Sequence, residues 1–276
     1  MGYVDLILNL SALLLWLNWR SIRFDPLNRR LPTTLMGTLR PASPSKLHRW
    51  HFLLFVLLLL ILRGVLYRWL GPATGSFTTY LDFSVTSQGF RHDSLIQDLA
   101  FSVISFARFF ILFYLVLIFM AILKGPQPIA GLIRIPLGRV YDWPLWALLV
   151  TPFLLASVSW GLGGWLIGEI PPRIHTSGAI QFQGALVMGL CAYLTWKIPA
   201  CIILTLHILN TYIYFGRHPF WNFISSLARR LLLPLQAVPL RVGRVDFAPL
   251  VLMAILLLLF QAASQVLAWL YIHRLP

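Results

Sequence analysis

The stretch Pro239–Gln261 reads PLRVGRVDFAPLVLMAILLLLFQ. A basic, proline-broken segment ends at Asp246-Phe247-Ala248-Pro249, and an uninterrupted apolar run begins within a few residues. An aspartate at a helix start accepts hydrogen bonds from the free N–H groups of the first turn. Its charge also suits the positive end of the helix dipole. Proline is tolerated in the first turn, where its missing N–H would be unpaired anyway. Asp246 and Pro249 therefore mark the point where a polar connector becomes a helix able to cross a bilayer.

The whole chain repeats that contrast. Its 276 residues are 59% hydrophobic and 11% charged, with a mean hydropathy of +0.79. A soluble domain sits nearer about 25% charged, so the composition predicts an integral membrane protein. A bilayer crossing needs about 20 apolar helical residues. Six runs qualify, near 3–19, 50–70, 97–123, 143–168, 185–215 and 247–272. The fifth is over-long and is expected to tilt or to bend at Pro199. The first has no basic segment ahead of it and no small-residue cleavage motif before Trp19-Arg20, so it reads as a retained anchor. The longest gap between spans, 20–49, leaves no room for a soluble catalytic domain. The expected fold class is all-α: a single polytopic membrane domain, 1–276, of six transmembrane helices arranged as three helical hairpins.

The net charge of +14 is a topology signal here, with no nucleic-acid partner implied. Arg20, Arg23, Arg29, Arg30, Arg40, Lys46 and Arg49 fill one connector. Lys124, Arg134 and Arg139 lie in a second, and Arg217, Arg229, Arg230, Arg241 and Arg244 in a third. These are fifteen of the 22 basic residues. The positive-inside bias places the three connectors in the cytoplasm and both termini on the opposite side. The expected location is a bacterial inner (cytoplasmic) membrane or an equivalent energy-transducing membrane.

The opening motif also recurs. GRVDFAPLVLMAIL at 243–256 parallels GRVYDWPLWALLV at 138–150, each with Gly-Arg-Val, then Asp, an aromatic residue, proline and a span. Arg139, Asp142 and Pro144 thus correspond to Arg244, Asp246 and Pro249. A weaker copy opens at DPLNRRLPTTLMGTLRP, 25–41, and leads to Trp50. The junction aromatics Trp50, Trp143 and Phe247 lie 93 and 104 residues apart. The pattern predicts three like-oriented repeats, near 1–72, 97–170 and 183–276. Within the last connector, Phe220, Phe223, Ile224, Leu227 and Leu231 fall at helical spacing, with Arg229 and Arg230 off that face. This is the pattern of an amphipathic helix in the membrane interface, where anionic headgroups attract arginine.

These residues resemble the YggT family of bacterial and plastid membrane proteins. DPLNRRLP, with Pro26, Arg29, Arg30 and Pro32, is similar to that family's Pro-x-x-Arg-Arg-x-Leu/Pro loop. PLRVGRVDFAPLVL matches its proline–arginine segment and following turn at Pro239, Arg241, Gly243, Asp246 and Pro249. Ala248 replaces the usual serine, and Arg244 a frequent second glycine. The family unit is a helical hairpin closed by this loop, usually present once or twice, whereas this chain has three candidate copies. The resemblance covers about half the chain. It implies a non-enzymatic membrane protein tied to osmotic tolerance, to biogenesis of membrane complexes or cytochromes, or to envelope organisation.

Chemistry inside the membrane is restricted to few residues. Arg63, Arg108 and Lys197 fall within spans, and intramembrane charges are functional candidates by default. Together they would form a cationic site for an anion, a headgroup or a partner's carboxylate. Separately, each would snorkel or pair with a carbonyl or an acid, with Asp98 and Glu169 as the available partners. His51 and His207 are the pair a bis-histidine haem would need, but no glycine pattern for haem packing accompanies them, and they read first as an interfacial and a packing histidine. Cys191 and Cys201, ten residues apart, have neither redox nor zinc spacing. The glycine-rich SWGLGGWLIG, 159–168, reads as a close helix-packing stripe. In the outer segment 71–96, TTYLDFSV alternates weakly and could form a short strand. No metal site, no cofactor and no catalytic motif is expected. Two functional readings stay open, beside a weaker third, a haem-binding membrane subunit using His51 and His207. One is a scaffold, assembly or accessory subunit that contacts other membrane proteins and anionic lipid. The other is a transporter or channel for an anionic or small solute, using Arg63, Arg108 and Lys197.

Overall fold

A computed structural model describes residues 2–21, 49–70, 79–82, 87–90, 95–123, 130–168, 178–213, 219–235, 240–242 and 245–274. It is almost wholly helical. The helices are α1 (Gly2–Ser21), α2 (Arg49–Leu70), α3 (Leu95–Ile122), α4 (Ala130–Leu137), α5 (Leu145–Gly168), α6 (Gly178–Leu194), α7 (Lys197–Tyr212), α8 (Pro219–Leu231) and α9 (Ala248–Arg274). Two short strand pairs accompany them. β1 (Thr79–Asp82) pairs with β2 (Ser87–Phe90), in the outer segment whose alternation suggested a strand. β3 (Arg241–Val242) pairs antiparallel with β4 (Val245–Asp246), Arg241 opposite Asp246.

Five stretches among the described residues are long and apolar enough to cross a membrane: Trp50–Trp69, Leu95–Ile122, Leu145–Gly163, Gln181–Tyr212 and Ala248–Tyr271. The chain is a multi-pass membrane protein. The first of the six expected spans forms α1 but is not among the five. Asp5, Asn9, Asn18 and Arg20 dilute its apolar character.

The over-long fifth span divides into α6 and α7, and the break falls at Thr195–Trp196, upstream of Pro199. Pro199 has no N–H to donate to the carbonyl of Thr195, four residues back, so the ladder fails there. The amides of Thr195 and Trp196 turn tightly onto the carbonyls of Ala192 and Tyr193, at 3.3 and 3.1 Å. Ala200 then restarts the ladder on Trp196, at 3.1 Å. Pro199 itself sits in the first turn of α7, where proline is tolerated.

The chain divides into two compact units, residues 1–79 with 90–110 and residues 80–89 with 111–276. In the first, α1 pairs with α2, and the first part of α3 packs on both. Gly64 permits the close approach of α2 and α3: a Cβ there would meet the backbone of Leu99 at 3.3 Å and its side chain at 2.7 Å.

In the second unit the core collects Ile118 and Ala121 of α3, Leu137 of α4, Leu148 of α5, Ile203 of α7 and Leu227 of α8. The short connector helices α4 and α8 thus share one apolar cluster with three long helices. The expected amphipathic helix is present as α8, and most of its apolar face packs inward, with Phe220 left exposed. Phe223, Ile224, Leu227 and Ala228 are buried in the protein core, while Arg229 and Arg230 are exposed. Helix α4 ends on Gly138, whose φ of 61° is the left-handed conformation that glycine adopts without penalty.

Helix α9 lies against α6 through Met188, Cys191 and Leu267, and against α7 through Leu204 and Leu252. Cys191 is buried packing, and neither cysteine is in a disulfide. Of the expected packing stripe on α5, two glycines are open. Gly161 and Gly163 have nothing within 4 Å of a would-be Cβ. The close contacts come instead from α6: a Cβ on Gly189 would meet Ser157 and Phe153 at 2.2 and 2.7 Å, and one on Gly184 would meet Trp160 at 3.0 Å.

These contacts predict opposite outcomes for two chemically equivalent changes. Gly189→Leu overpacks the α5–α6 seam and lowers stability by about 1–3 kcal/mol. Gly161→Leu leaves it within about 0.5 kcal/mol. Unfolding midpoints in mild detergent distinguish them.

Candidate functional site

The most developed polar constellation lies in the first unit. Residues four apart on a helix share a face. Asp5 and Asn9 are such a pair on α1, Arg63 and Tyr67 on α2, and Phe101 and Ser105 on α3. The three faces converge on the Arg63 guanidinium, which is 1% exposed. Its Nη1 donates to Asn9 Oδ1 at 2.8 Å. Its Nη2 donates to Asp5 Oδ1 at 2.6 Å and to Ser105 Oγ at 2.9 Å. Asn9 Nδ2 donates to Ser105 Oγ at 3.2 Å, and the Tyr67 hydroxyl donates to Asp5 Oδ1. The rings of Tyr67 and Phe101 flank the guanidinium, with centroids 5.5 and 5.4 Å away.

Arginine suits this position because its planar fork serves several acceptors at fixed angles. Asn9 suits its own because it accepts from the guanidinium and donates to the serine at once. The aromatic faces add cation–π attraction. An arginine in a span is thereby neutralised and hydrogen-bonded by its own chain.

The Arg63 salt bridge goes to Asp5, an acid the sequence reading did not name, while Asp98 is buried in the first turn of α3. Glu169 lies outside the described residues. Asp5 and Asn9 were not singled out in the sequence, because the first run reads as a plain anchor. Their four-residue spacing within an apolar helix was the available signal.

Of the three intramembrane cations, Arg63 has Asp5, Asn9 and Ser105 as side-chain partners. Arg108 is half-buried on α3 and belongs to the first unit. Lys197, expected in mid-span, is the first residue of α7, beside the helix break in the second unit. His51 is exposed on α2, and His207 is half-buried on α7. No group of three metal-ligating side chains occurs among the described residues.

The motif residues divide in the same way. Asp246 starts its helix as expected: its Oδ1 accepts from the amide of Ala248, the first residue of α9, at 3.0 Å. Pro249 follows in the first turn. The carboxylate of Asp142 takes Arg134 Nη2 at 2.9 Å, in a pair more than half exposed, while α5 begins after Pro144. Arg139 lies in the 3-10 turn Gly138–Asp142. Pro26, Arg29, Arg30, Pro32, Pro239 and Gly243 lie outside the described residues. Arg241 is the first residue of β3.

Fold and site together define a multi-pass helical membrane protein with a buried arginine paired to an aspartate of its own chain. Compared with known proteins, the chain matches no family model, no curated protein and no solved structure.

Two sets of substitutions follow. Arg63→Ala strands Asp5 and costs about 3–5 kcal/mol, and Tyr67→Phe, which removes one bond to a charged acceptor, costs about 1.5–3 kcal/mol. Asp246→Ala loses a helix-start bond worth about 0.5–2 kcal/mol, whereas Asp142→Ala loses an exposed pair worth about 0–1 kcal/mol. Unfolding in mixed micelles ranks all four.

Proposed function

We propose that this chain is a non-enzymatic membrane protein that holds or assembles other membrane components, as an accessory subunit of a larger complex. The observation that carries this reading is the engagement of both Arg63 Nη groups within the chain. They bond to Asp5, Asn9 and Ser105, so the charge that an anion pathway would use serves to join helices. Exposed arginines Arg229 and Arg230 on α8 remain available to anionic headgroups or to a partner's acidic groups. Exposed Trp50, Trp69, Trp146 and Trp269 suit both membrane anchoring and protein contact.

In this reading the six helical runs form three hairpins of one orientation, as in an expanded YggT-like protein. The element order is compatible with two of the copies. In each, a long helix leads to a short connector helix, a 3-10 turn, an aspartate and a returning helix. The basic connectors face the cytoplasm, both termini face away from it, and the host membrane is a bacterial inner membrane or its equivalent.

Purification in gentle detergent, followed by mass spectrometry of whatever accompanies the chain, tests the proposal. The expected result is a stoichiometric membrane-protein partner whose recovery falls when Arg229 and Arg230 are both changed to Glu. A chain purified alone, which carries anion flux in liposomes that Arg63→Leu abolishes, would instead establish a transporter.

A further inference from the structure

Helix α1 is not among the stretches apolar enough to cross a membrane, yet its sides are sorted as though it did. Leu6, Ile7, Leu10 and Leu14 are exposed. On the inward side Asn9, Ala12 and Leu13 are buried, and Asp5 and Asn9 meet Arg63. Asp and Arg are each costly inside a bilayer. Here each removes the other's penalty. Helix α2 is apolar enough to span despite Arg63, whereas α1 lacks that margin.

We infer that α1 is a conditional membrane segment, held in the bilayer by the Arg63 guanidinium of α2 acting on Asp5 and Asn9. The dependence is asymmetric. Helix α2 enters by its own hydropathy and presents a cationic slot, and α1 enters and stays only when its carboxylate fills that slot. Removing the arginine leaves α1 with an unmatched carboxylate and expels its first turns from their place. Removing both charges restores a helix that is simply more apolar. The inference is independent of the scaffold reading and holds equally for a transporter.

The test uses the full chain with Cys191→Ala and Cys201→Ala, and Tyr3→Cys as a reporter at a position 83% exposed. Sealed vesicles are treated from either face with a membrane-impermeant maleimide. In the parent chain the reporter reacts from one face. Arg63→Leu shifts the ratio of the two orientations by about tenfold, equivalent to about 1.4 kcal/mol. Arg63→Lys, which keeps the charge, shifts it less. The Asp5→Leu/Arg63→Leu double variant returns to the parent pattern. Where Arg63→Leu prevents accumulation of the chain, the amount of protein is the readout, and the double variant restores it. Parent-like labelling and amount in Arg63→Leu would overturn the inference, as would a double variant no better than Arg63→Leu.

Discussion

A charge inside a membrane must be matched where it stands, and here that requirement is met by a single guanidinium. Water is not present in the hydrocarbon to solvate it, so each N–H needs an acceptor from the protein. The two Nη groups of Arg63 obtain acceptors from two other helices, Asp5 and Asn9 on α1 and Ser105 on α3, while the buried Nε has none among the described residues. In lipid the apolar surface gives little reason for helices to associate, because lipid tails are as apolar as leucine. Polar convergence and close backbone approach then decide which helices meet. The first unit uses both at one level, with Gly64 against Leu99 one residue beyond Arg63.

The second unit solves a different problem. Its short helices α4 and α8 belong to connectors, where apolar side chains would otherwise meet water. Burying a large apolar side chain away from water stabilises by about 1.5–3 kcal/mol. Phe223, Ile224 and Leu227 gain this by entering the protein core. That leaves the arginine-bearing side of α8, with Phe220 at its start, exposed for contact with headgroups or partners. The long helices are joined by side-chain-to-carbonyl bonds of the kind expected where lipid supplies no competing donor. Trp196 Nε1 donates to the carbonyl of Leu115 at 3.1 Å, and the Tyr193 hydroxyl donates to that of Leu149 at 2.6 Å.

Much of the helical layout was legible because long apolar runs admit few readings. The spans expected near 50–70, 97–123, 143–168 and 247–272 correspond to α2, α3, α5 and α9 within a few residues. The aspartate at the start of α9 was legible because a cap acts locally. Features that depend on distant residues were not. Pro199 signalled a bend, but its missing amide acts on the carbonyl four residues earlier, so the break appears at Thr195–Trp196. The glycine run on α5 looked like a packing stripe, yet which face meets a neighbour is set by α6 and its own glycines. Arg63 stood out as an intramembrane charge, but its acceptor lies 58 residues earlier, in a run whose apolar majority hid Asp5.

The central claim is the union of Arg63 with Asp5, and solid-state NMR of the chain in lipid bilayers reads it directly. With ¹⁵N-labelled arginine and ¹³C-labelled aspartate, the account predicts a strong through-space coupling between Arg63 Nη and the Asp5 carboxyl carbon. That coupling should match an N–O separation of 2.6 Å and vanish in Asp5→Leu. A guanidinium coupled to lipid phosphate or to Asp98, with no coupling to Asp5, would contradict it.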